Sequence, residues 1–92
     1  MINVDVANEA VALVTGDRSE AYDVDGSTSF RVVSRLWSAY LDHGLTETDV
    51  CNMMALLKIG RSLSGYKADT YVDAVGYVLL AEAAHRSQNG SR

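Results

Sequence analysis

Apolar residues recur along this chain at steps of three and four, the spacing that lines one side of an α-helix, and no proline interrupts them. The pattern predicts four helices. The first runs from Val4 to about Val14 on a stripe of Val6, Ala10, Leu13 and Val14, with Gly16 placed to cap its C-terminus. A polar loop, GDRSEAYDVDGST, follows. The second helix opens after Ser27 or Thr28 and carries Phe30, Val33, Trp37, Tyr40 and Leu41 to about Asp42, where His43-Gly44 ends it. Thr46 with Asp49 three residues on forms a capping box in which aspartate replaces the usual glutamate. It opens a third helix with Val50, Met53, Met54, Leu57 and Ile59, ending near Leu63, and Gly65 supplies the left-handed turn. The fourth helix, from about Asp69 to Arg86, carries Val72, Val75, Leu79, Leu80 and Ala83. The expected fold is all-α: one four-helix, bundle-like domain over residues 1–87 and a disordered tail at 88–92, with no internal repeat.

Length changes this picture in one respect. A chain of 92 residues builds one modest core, and Cys51 stands alone with no His/Cys cluster to clip the fold with metal. Oligomerisation is the remaining source of buried surface, so a homodimer is expected. Cys51, between Val50 and Met53 on a helix, reads as a core residue and suits a reducing cytoplasm. No apolar run reaches membrane-spanning length, and acids stand near the N-terminus where a signal peptide needs basic residues. The expectation is a soluble, cytoplasmic protein. Twelve acidic against eight basic side chains leave a net charge of −4, which repels a phosphate backbone and excludes duplex nucleic acid as a partner.

The candidate chemistry lies in KIGRSLSGYKADTYVDAVGY, residues 58 to 77. Helical spacing puts Met54, Lys58 and Arg61 on one face of the third helix and Asp69, Asp73, Gly76 and Tyr77 on one face of the fourth. Charges of both signs in an apolar helix pair either pair tightly or meet a ligand. In the structural reading Lys58 pairs with Asp73, Arg61 pairs with Asp69, and Gly76 lets two helices approach. In the functional reading the cations hold a phosphate or carboxylate, and the aspartates orient them or bond a sugar or base edge. Asp17, Arg18 and Tyr22 add a loop that either carries binding groups, Tyr22 offering an apolar wall, or is pinned to the bundle by Arg18 on Asp69 or Asp73. The candidate ligand-binding set is Arg18, Tyr22, Lys58, Arg61, Asp69 and Asp73. Trp37 and Tyr40 read as core or dimer-interface aromatics, and Met53-Met54 as filling residues. His43 and His85 sit near helix C-termini without metal-ligand neighbours, and Ser62, Ser64 and Ser87 lack a nearby histidine. No catalytic residue, metal or cofactor is assigned.

Gly16-Asp17-Arg18 with Tyr22, the Phe30 to Trp37 spacing, Met53-Met54 running into Lys58-x-x-Arg61, and Asp69-x-x-x-Asp73-x-x-Gly76-Tyr77 resemble a family of small phage and prophage proteins of uncharacterised function. The likeness covers about residues 7 to 80. A glycine commonly follows the loop tyrosine in that family, and here Asp23 stands there. More remotely, the arrangement is similar to the MazG-type all-α nucleotide pyrophosphohydrolases, which hold magnesium between a Glu-x-x-Glu helix and a Glu-x-x-Asp helix. Where that acidic pair would stand this chain has Lys58 and Arg61, and Thr70 replaces the glutamate three residues before Asp73. Two cations repel magnesium and attract an anion directly. The resemblance therefore implies a non-catalytic binding or regulatory protein for a phosphorylated or nucleotide-like ligand in the host cytoplasm. Its rivals are a divergent magnesium-dependent pyrophosphohydrolase using Asp17, Glu20, Asp69 and Asp73, and a module that binds a host protein through an apolar helix face.

Overall fold

Residues 1–15 and 30–88 are described by the computed structural model. In them α1 spans Val4–Thr15, α2 Phe30–Leu41, α3 Glu47–Arg61 and α4 Ala68–Gln88, with no strand. The all-α expectation holds. Gly16, the sequence that follows it, the expected helix start after Ser27 or Thr28 and the last four residues lie outside the described residues. α4 extends to Gln88, one residue into the expected tail. Among the described residues no helix is long and apolar enough to cross a membrane.

Local chemistry sets the helix ends. The Thr46 side chain accepts from the Asp49 backbone N–H at 3.0 Å, and the Thr46 N–H donates to the Asp49 carboxylate at 2.9 Å, completing the capping box that opens α3. One 3₁₀ turn, Ser62–Ser64, extends α3, and Gly65 then takes φ 135, which only glycine adopts without strain. α2 ends differently from expectation. Asp42, not Gly44, turns the chain with φ 53, a conformation that short polar side chains tolerate. Ser38 then holds the loop, its Oγ accepting from the Leu45 N–H at 2.8 Å.

α3 and α4 form the central antiparallel hairpin, Thr48 Oγ1 near the start of one donating to Gln88 Oε1 at the end of the other at 3.2 Å. α1 packs on α4 and α2 on α3. Phe30 of α2 also meets Tyr77 of α4 edge-on, ring centroids 5.9 Å apart at 71°. Among the described residues the buried core is made of small side chains: Ala10, Ala55, Ala74 and Ala81 join Val50, Cys51 and Val72, with Gly76 buried beside Val14 of α1. Small residues let helices approach closely, and the larger ones are pushed outward. That corrects part of the predicted stripes. Met53, Leu57, Ile59, Val75, Leu79, Ala83 and Leu41 belong to the predicted apolar stripes and stand exposed, and Tyr40 is exposed too, which removes the core half of its reading. On α3 and α4 apolar residues occupy both sides, so periodicity alone could not choose the buried one.

Candidate functional site

The charged segment splits into two regions one helical turn apart. Lys58 and Asp73 meet across the hairpin, Nζ to Oδ2 at 3.3 Å, with side chains 20% and 33% exposed. This is the pairing predicted from the spacing. Partial burial between two apolar helices strengthens their attraction relative to a surface pair and makes either partner costly alone.

Arg61 does not follow. No ion pair joins it to Asp69, and among the described residues it makes no ion pair at all. Asp69 occupies the first turn of α4 on the side facing α1, where it lines a groove of about 400 Å³ with Glu9, Ala12, Leu13, Val72 and Asp73. Arg61 ends α3 and lies instead at the turn, in a hollow of about 430 Å³ with Ser64, Gly65, Tyr66, Lys67 and Thr70. Among the described residues, two cations, Arg61 and Lys67, and three hydroxyl-bearing residues, Ser64, Tyr66 and Thr70, share that hollow. The Thr70 N–H bonds the Lys67 carbonyl at 3.1 Å, fixing the entry of the chain into α4, so the first amides of that helix stand beside Lys67. Tyr66 is exposed at its edge and stacks on Tyr71, with centroids 6.1 Å apart and planes 25° apart.

Lys67, Ser64, Thr70 and Tyr66 are not among the candidate ligand residues that helical pairing nominates. The signal was present in RSLSGYK: a cation on each side of a glycine turn, with hydroxyls between them. Arg18 and Tyr22 lie outside the described residues, as do Asp17 and Glu20 of the magnesium alternative. Among the described residues no three His, Cys, Asp or Glu side chains are grouped as a metal ion needs. Cys51 is buried, and burial, with the Glu47 charge nearby, pushes its thiol from 9.0 to about 11. Such a thiol is a packing residue at neutral pH, as the sequence suggested.

Residues 5–85 match the family described as a domain of unknown function, DUF6378. Two relatives share the name Gene 55 protein. That of Mycobacterium phage D29 is 34% identical over 78 residues, covering 84% of this chain and 51% of the relative. That of Mycobacterium phage L5 is 36% identical over 80 residues, covering 84% and 50%. The chain spans about half the length of these relatives. No solved structure matches it. The chain belongs to the DUF6378 family, in agreement with its resemblance to uncharacterised phage proteins.

Proposed function

We propose that this member of the DUF6378 family is a small helical binding protein that takes up a phosphorylated, nucleotide-sized anion at the α3–α4 turn without transforming it. One observation carries the reading: Arg61 and Lys67 share an open hollow with Ser64 and Thr70, and among the described residues no carboxylate lines it. Arginine offers a planar fork of donors to phosphate, and a lysine beside it adds a compact charge. The hollow, at about 430 Å³, falls within the size of small-molecule sites, and the exposed Tyr66 ring offers an apolar wall to a base or sugar. Lys58 and Asp73 support the hairpin that holds this turn, and they stand outside the anion's contacts.

The test is a thermal-shift titration with inorganic phosphate, pyrophosphate and nucleoside mono- and triphosphates, with and without magnesium. Ligand at about a hundred times its Kd stabilises by about 2.7 kcal/mol, so a modest affinity is readable as a rise in Tm. We expect that rise without magnesium, and its loss in Arg61→Ala and Lys67→Ala, both with unchanged helical circular dichroism. Lys58→Met is expected to lower the starting Tm and keep the rise. A response that requires magnesium, with pyrophosphate released from a triphosphate, would replace the proposal with the hydrolase. No response to any anion would leave the protein-interaction module.

A further inference from the structure

The outer face of α3 carries no charge from Asn52 to Gly60: its exposed positions there are Asn52, Met53, Leu56, Leu57, Ile59 and Gly60. Leu56 is 65% exposed, and Leu63 beyond it 91%. Met53, Leu56, Leu57 and Gly60 follow the i, i+3, i+4, i+7 rule and make one strip, opposite the side on which Cys51 and Ala55 are buried. With Ile59 and Leu63 the patch is on the order of 500 Å², at the upper end of what monomers show to water.

Gly60 is a second, independent mark. It stands one residue before the end of α3, and a Cβ built on it would meet nothing within 4 Å. Nothing within the described chain uses the missing side chain. An approaching helix would.

We propose that this face is where a second copy of the chain docks, two α3 helices pairing antiparallel about a twofold axis between Leu56 and Leu57. A twofold contact must complement itself. The spacing does so, because Met53 and Gly60 are equidistant from that centre, and the flexible Met53 side chain of each copy faces the Gly60 notch of the other. Absence of charge also suits self-pairing, since any charge near the axis would meet its own like. Equilibrium sedimentation from 1 to about 100 µM tests this, with Leu36→Lys as control because Leu36 is 64% exposed on α2. The expected result is a dimer that Leu56→Lys raises at least tenfold in Kd, that Gly60→Leu also weakens, and that Leu36→Lys leaves intact, all with unchanged helical circular dichroism. A wild-type monomer throughout that range, or a dimer broken by Leu36→Lys and indifferent to Leu56→Lys and Gly60→Leu, would overturn it.

Discussion

Lys58 and Arg61 are cations three residues apart on the same helix, yet one is closed against Asp73 and the other stands open in a hollow. The difference comes from what faces them. Along the body of the hairpin the opposing helix presents an aspartate at contact distance, so the charge is matched inside the fold. At the turn, α4 is only beginning, its one early carboxylate is directed toward α1, and the chain supplies Lys67 and hydroxyls instead. Opposite charges close in sequence thus do not define one site. The matched pair holds the helices, and Arg61 and Lys67 have no ion-pair partner among the described residues.

The largest expected effect lies in the closed region. Removing one partner of a fully buried pair costs about 3–5 kcal/mol and of an exposed pair less than about 1. Lys58 and Asp73 are partly shielded, so Asp73→Asn should cost about 1–3 kcal/mol, between those limits. Urea unfolding measures it. An unchanged midpoint would place Asp73 with the solvated groups and dissolve the contrast with Arg61.

A second measurement tests how closed the hairpin interior is, through Cys51. Its thiol titrates near 11 in the fold and nearer 9.0 when unfolded, so above pH 9 the unfolded chain loses its proton first. Stability from this group is complete below pH 9 and should fall as pH rises through about 11, by about 1.4 kcal/mol per pH unit between those values. Cys51→Ala should flatten that slope relative to the wild type. Equal slopes in the two proteins would show that the thiol is reached by water in the native state.

How much of this was legible depended on whether a residue's neighbour was local. The Thr46–Asp49 capping box and the Gly65 turn were read directly, because each is completed within a few residues. The Lys58–Asp73 pair was also legible, since a short turn between two periodic helices leaves few registers. Arg61 with Asp69 was not. That pairing assumed both helices keep facing each other to their ends, whereas α1 packs on α4 and lines the groove that takes Asp69. The buried side of α3 was equally hidden, because Val50 and Cys51 inside and Leu56 and Leu57 outside have the same apolar character. Choosing between them requires knowing that the side of α3 carrying Ala55, not the one carrying Leu56 and Leu57, is buried.

The smallest expected effect sharpens the comparison most. Arg86 binds Glu82 through two hydrogen bonds, Nε to Oε2 at 3.0 Å and Nη2 to Oε1 at 3.1 Å, shorter than the 3.3 Å between Lys58 and Asp73. That side-chain hydrogen bond lowers the Glu82 pKa from 4.5 and raises that of Arg86. A depressed carboxylate contributes stability above its ordinary pKa and loses it as pH falls through the folded value, so any contribution is complete at pH 7. Both side chains are nevertheless more than half exposed, in water and salt that screen the attraction, and ordering two long side chains opposes it. Glu82→Gln should therefore leave Tm unchanged at pH 7 and physiological salt, although it removes the better-formed contact. A loss as large as that of Asp73→Asn would mean that contact geometry, not shielding from water, sets the strength of ion pairs in this fold.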